Sequence, residues 1–136
     1  MRLAADANVL LAAVLGGRAR LILKHPRITE VLTTEATLAE VEEYALVLAE
    51  RRRLPSDIIL LAIASLPVTV VDEDTYSRSL SEARRRIAHR DPDDVHILAL
   101  ALHFQIPIWS NDRDFEDVRT ELFTTEDLLR RLRIIQ

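Results

Sequence analysis

Strand and helix signals alternate along this chain from end to end, and that alternation constrains the fold more than any other feature. The first segment, Arg2–Ala7, is an apolar run of buried-strand type, and a helical pattern follows over about Val9–Lys24. The pattern predicts a second strand at Ile28–Thr33. The next helix carries Leu38, Val41, Ala45 and Leu48 on one stripe and stops at Arg51-Arg52-Arg53-Leu54-Pro55. Ser56 or Asp57 is expected to cap a short helix to about Ser65. Pro67–Val71, rich in β-branched residues, reads as the third strand. A polar, Arg-rich helix is expected over Asp74–His89, and an apolar helix from Asp91-Pro92-Asp93-Asp94 through His103. Ile106–Ser110 is the fourth strand, and a short turn or helix at Asp114–Val118 leads to a fifth near Leu122–Thr124. A last helix starts at Thr125. Repeated strand–helix units of this length imply a parallel sheet with helices on both faces. No repeat, linker or low-complexity tract interrupts them, so residues 1–136 are expected to form one domain.

Within the first strand one residue does not belong to a buried surface. An ionised Asp6 would be costly there unless a cation or hydrogen-bond donors compensate it. Other acids recur where such a fold places a site. Glu40 lies on the helix after strand 2. Asp94 lies at the start of the helix before strand 4, and Asp112 directly follows strand 4, with Asp114 beyond it. In open α/β sheets, sites form beyond the carboxyl ends of strands where the strand order reverses. If strands 1 and 4 are neighbours at that point, Asp6 and Asp112 face one another.

Each acid also has a plain structural explanation. Asp91 as N-cap, Pro92 in the first turn and Asp93 beside it make a good helix start. Ser110-Asn111-Asp112 suits a turn, and Glu40 lies among Glu35, Glu42 and Glu43 on what reads as a solvated face. Asp94 is harder to explain this way, because it shares a face with Ile97, Leu98 and Ala101. Taken together, the acids form a cluster whose members raise one another's pKa unless a cation neutralises them. There is no Cys, which excludes a disulfide framework, a thiolate zinc site and thiol catalysis, and fits a cytoplasmic protein. All-oxygen ligands point to Mg²⁺ or Mn²⁺ and to metal-assisted phosphodiester hydrolysis.

These residues as a set resemble the PIN-domain nucleases, in particular the toxin ribonucleases of VapBC-type toxin–antitoxin modules. The matching pieces are Ala5-Asp6-Ala7-Asn8-Val9, Thr37-Leu38-Ala39-Glu40-Val41, Asp91-Pro92-Asp93-Asp94 with the apolar helix after it, and Ser110-Asn111-Asp112-Arg113-Asp114-Phe115. The resemblance implies a three-layer α/β/α fold with a five-stranded parallel sheet of order 3-2-1-4-5. It implies that Asp6, Glu40, Asp94 and Asp112 bind one or two Mg²⁺ or Mn²⁺ ions. A metal-activated water would then cut RNA in line, leaving a 5′-phosphate and a 3′-hydroxyl. Asn8 and Ser110 match auxiliary positions, Asp114 matches an additional acid, and Asp91 or Asp93 competes with Asp94 for one role. The expected partners are an RNA substrate, an antitoxin protein and a second copy of the chain, with no membrane.

The remaining features are less specific. The net charge is −4, and 17 of the 18 cationic residues are Arg. Arg51-Arg52-Arg53, Arg84-Arg85-Arg86 and Arg130-Arg131 could contact phosphate or an acidic partner, or serve as helix-surface charge. Arg113, between two site acids, is the better candidate for a substrate contact. His96 and His103, on one helical face, are expected to mark its wetter side, and Trp109 to fill the core. Gly16 and Gly17, the only glycines, exclude a P-loop or a dinucleotide fingerprint. Two other functions fit part of the pattern. An aspartyl-phosphate enzyme could use Asp6, but the single Lys, Lys24, is far from the later strands. A non-catalytic PIN-like domain that binds RNA or a partner would be favoured by a missing site acid, and none is missing.

Overall fold

The computed structural model describes residues 1–87, 89–116 and 118–135. Five parallel strands form the sheet: β1 (Arg2–Ala5), β2 (Glu30–Thr34), β3 (Thr69–Val71), β4 (Ile108–Trp109) and β5 (Leu122–Phe123). Their order is β3-β2-β1-β4-β5, so β1 pairs with β2 on one side and with β4 on the other. The strand order reverses between β1 and β4.

Period-two alternation divides the sheet's side chains between two cores. Leu3, Ala5, Val31 and Trp109 face helices α1 (Ala7–Val14), α2 (Ala19–Leu23), α3 (Glu35–Arg51), α4 (Ser56–Ala64) and α8 (Thr125–Arg131). Ala4, Leu32, Val71 and Ile108 face α5 (Glu73–Tyr76), α6 (Leu80–Ile87) and α7 (Val95–Phe104) on the opposite side. The result is the expected three-layer arrangement. Helix α7 buries Val95, Ile97, Leu98, Ala99, Leu100 and Ala101, which is why its sequence is apolar nearly all round.

Several boundaries differ from the sequence reading, each for a local reason. β1 ends at Ala5, and Asp6 is the N-cap of α1 rather than a strand residue: its backbone is extended and its side chain accepts from the Ala7 N–H. The expected helix Val9–Lys24 is two helices. Gly16 takes a φ of +88°, and a Cβ on Gly17 would lie 3.0 Å from the Ala12 carbonyl oxygen, so this glycine pair ends the first helix after about two turns. Pro55, not Ser56 or Asp57, occupies the N-cap position of α4, without a side-chain cap. The expected helix Asp74–His89 is interrupted by a 3₁₀ turn at Ser77–Ser79, and its described part ends at Ile87. The fourth strand shortens to Ile108–Trp109, and the segment expected at Asp114–Val118 is a 3₁₀ turn at Arg113–Phe115. The final helix starts at Thr125 as expected, closed by a capping box between Thr124 and Asp127. Trp109 is fully buried, and its Nε1–H donates to Thr125 Oγ1 at 3.1 Å. His103 is exposed, and His96 is partly exposed beside the Tyr76 hydroxyl at 2.9 Å.

Candidate metal centre

The carboxyl ends of β1 and β4 bring Asp6 and Ser110 side by side, and local backbone needs fix both. Asp6 closes the first turn of α1: Oδ1 accepts the Ala7 N–H at 2.8 Å, while Oδ2 accepts from the Ser110 hydroxyl at 2.8 Å and the Asn8 amide at 3.0 Å. Ser110 Oγ in turn accepts from Asn8 Nδ2 and from the Asp112 N–H, both at 3.0 Å. Asn8 Oδ1 accepts the Asn111 N–H at 3.1 Å, and Asn111 Oδ1 accepts the Thr125 N–H at 2.9 Å. One network therefore ties α1, the loop after β4 and the start of α8 together. Asn8 and Ser110, expected as auxiliary residues, both donate hydrogen bonds to Asp6 Oδ2. Asn111, which the sequence reading did not single out, proves to be the bridge to α8. No residue type or spacing marks it, because both of its contacts depend on elements far apart in the chain.

Above this network lies a cleft of about 310 Å³. Asp6, Glu40, Asp91, Asp94 and Asp112 line it, with Ala7, Leu11, Val41 and Tyr44 on the side of α1 and α3. The tightest acidic group is Asp91, Asp94, Asp112 and Asp114, whose ligand oxygens all lie within 4.8 Å of one another. Asp6 and Glu40 line the cleft beside that quartet. The structure places Asp6, Glu40, Asp94 and Asp112 on one cleft together with Asp91, the expected competitor of Asp94. It separates Asp93, which is exposed and faces a neighbouring groove with Pro92 and His96. Asp91 also caps its own 3₁₀ turn, accepting the Asp93 N–H at 3.0 Å, so the plain explanation of that residue holds as well. Arg113 is exposed between Asp112 and Asp114.

The electrostatics are one-sided. Burial pushes the Asp94 carboxyl up to about 8, and the charges of Asp6, Asp91, Asp112 and Glu40 push the same way. Glu40 rises to about 7 by burial and by the charges of Asp6 and Asp93. Burial also raises Asp6, against which the Ser110 and Ala7 hydrogen bonds work. Asp94 is 5 % exposed, and its Oδ2 has no hydrogen-bond partner among the described residues. A buried carboxylate oxygen without a donor is costly. A divalent cation would satisfy it and neutralise its neighbours, and an all-oxygen donor set suits Mg²⁺ or Mn²⁺. The residues present therefore fit such an ion. Lys24, by contrast, lines cavities at α2 rather than this cleft, so the acids have no lysine beside them of the kind an aspartyl-phosphate enzyme would use.

Comparison with known proteins agrees with this geometry. No curated protein sequence matches the chain. Among solved structures, VapBC2 from Rickettsia felis, bound to a DNA fragment from its promoter, superimposes with a TM-score of 0.71 at 14% identity, covering 91% of this chain and 98% of that one. PAE2754 from Pyrobaculum aerophilum gives a TM-score of 0.73 at 18% identity, covering 98% and 90%. The sarcin–ricin-loop-cleaving toxin VapC20 of Mycobacterium tuberculosis gives 0.60 at 20% identity, covering 88% and 96%. At these identities the likeness speaks for the fold. The family match is broader in kind, because residues 5–133 fit the PIN domain as a sequence pattern. With the sheet order, the acidic cleft and that match in agreement, the chain belongs to the PIN-domain family.

Proposed function

We propose that the protein is a metal-dependent endoribonuclease acting at the acidic cleft, and that it is the toxin of a toxin–antitoxin pair. The observation that carries this reading is Asp94: a buried carboxylate with an unpartnered oxygen, set within 4.8 Å of the ligand oxygens of three other acids. Membership of the PIN family and the likeness to toxin structures support the nuclease class. Solved neighbours from Rickettsia felis, Klebsiella pneumoniae and Salmonella typhimurium are toxin–antitoxin complexes, which supports an antitoxin partner here. Val47, Leu54, Ile58 and Leu61 on and around α3 and α4 are exposed apolar residues that a partner protein could cover.

In this reading Asp6, Glu40, Asp94 and Asp112 hold one or two Mg²⁺ or Mn²⁺ ions, with Asp91 and Asp114 at the edge of the set. The bound ion would lower the pKa of a coordinated water and polarise a phosphoryl oxygen for in-line displacement. The chain's own residues do the positioning. Ser110, Asn8 and the Ala7 N–H hold Asp6 in one orientation and favour its ionised form. Asp94 and Glu40 give up protons as the ion binds, so affinity for the ion rises with pH through their range of about 7 to 8. Arg113, exposed next to Asp112, would meet a substrate phosphate in this reading. The test is cleavage of RNA by the wild type with Mg²⁺, with Mn²⁺ and with EDTA, alongside Asp6→Asn. Cleavage that survives EDTA, or equal cleavage by Asp6→Asn, would overturn the proposal.

A further inference from the structure

The cleft has two chemically different walls. Acids from the turn before α7 and the loop after β4 form one. The other, from α1 and α3, carries Asp6, Asn8 and Glu40 at its foot and is otherwise apolar: Ala7 and Leu11 from α1, Val41 and Tyr44 from α3. Tyr44 is the conspicuous member, because it is 51 % exposed while Val41 one turn earlier is fully buried. It stands one helical turn beyond Glu40, and these two residues also line the adjoining groove of about 500 Å³. That groove carries Glu43 and Asp93, acids that disfavour a phosphate. In the function proposed above, a phosphodiester would lie on the side of the acidic quartet and the cation it would hold. What fits against Tyr44 is therefore a flat, largely apolar group attached to that phosphate.

A nucleotide has this two-sided chemistry, and we propose that Tyr44 stacks on the base next to the phosphate held at the acidic cleft. This rests on the nuclease reading above and adds a substrate requirement to it: the base must be unpaired and free to leave its neighbours. Base–aromatic stacking is tolerant of sequence, since every base has a π-face. Tyr44 thus selects single-stranded or looped RNA without choosing a particular base.

The experiment measures binding and cleavage separately. A short labelled single-stranded RNA and versions with each base removed in turn are titrated with the wild type, Tyr44→Phe and Tyr44→Ala in Ca²⁺, with anisotropy as the readout. Cleavage is then followed in Mn²⁺. Tyr44→Ala should weaken binding of the intact strand roughly five- to 150-fold, and Tyr44→Phe should bind like the wild type. One base-removed RNA should bind the wild type as weakly as the intact strand binds Tyr44→Ala, with no further loss when both changes are combined. Equal affinity of wild type and Tyr44→Ala overturns the stacking. So does a loss in Tyr44→Ala that no base removal reproduces, which would assign the ring to a partner protein instead. Base-dependent binding without cleavage would overturn the nuclease reading and keep the stacking. Cleavage indifferent to Tyr44 in both KM and kcat would do the reverse.

Discussion

Carboxylates on α6 and α8 and carboxylates in the cleft obey opposite rules. On α6, Glu82 is paired with Arg85 and with Arg86 at 2.7 Å, and these hydrogen bonds and charges pull its carboxyl below the ordinary range. On α8, Glu126 meets Arg130 one turn later at 2.8 Å. In the cleft the partners of Asp94 and Glu40 are other acids, and both carboxyls are pushed far upward. Arginine is plentiful in the chain, yet among the described residues none lines that cleft. In the function proposed above, such a cluster of acids would take up a cation from outside.

The largest expected effect tests whether the cleft is that kind of place. Asp94→Asn should lower metal-dependent cleavage at least about a hundredfold, since even outer partners of a metal site are worth ten- to a hundredfold. The same substitution should leave the fold intact and make the metal-free protein more stable at pH 8, where a buried charge is removed. Loss of the fold would make Asp94 structural and collapse the contrast with Glu82. Next in size, Ser110→Ala removes the hydroxyl shared by Asp6, Asn8 and Asp112 and should weaken metal affinity about ten- to a hundredfold, read by calorimetry.

Smaller but more general is the effect of the ion on stability. Mn²⁺ or Mg²⁺ at a hundred times its dissociation constant should stabilise the wild type by about 2.7 kcal/mol. A thermal melt would show it, and Asp94→Asn should show little of it. pH dependence sharpens the same point. In the unfolded chain Asp94 and Glu40 ionise near pH 4, whereas in the folded protein they keep their protons to about 8 and about 7. Between those limits the folded state binds more protons, so stability in EDTA should fall as pH rises from about 5 to about 8. A flat profile would mean the cleft tolerates its charges unaided. The smallest effect belongs to the other side of the comparison. Glu82→Gln should change stability by less than about 1 kcal/mol, because exposed ion pairs contribute little.

The sheet and its helices were legible because periodicity reports burial. Leu3 and Ala5 against Ala4, and Ile108 against Trp109, alternate as a two-sided strand must. Boundaries set by single contacts were not legible. The close approach of Gly17 to the Ala12 carbonyl splits the first helix, and no pattern of apolar residues announces it. The cleft acids could be named from chain order, since Asp6 and Asp112 follow strands that flank the reversal point. How close they lie could not: Asp91, the cap of the 3₁₀ turn before α7, lies within 4.8 Å of Asp94, Asp112 and Asp114. Asp6 itself was read as a charge stranded in a sheet. The end of β1 at Ala5 rather than Ala7 makes it a helix cap with its donors at hand.

Those donors also limit what Asp6 can still do. A carboxylate has about four lone-pair directions. On Asp6 the Ala7 N–H takes one at Oδ1, and the Ser110 hydroxyl and Asn8 amide take two at Oδ2. Among the described residues this leaves Oδ1 the freer oxygen, so in the proposed function Asp6 would offer an ion one oxygen rather than two. Asp94, whose Oδ2 has no hydrogen-bond partner among the described residues, would be freer to adapt to the size of a bound ion.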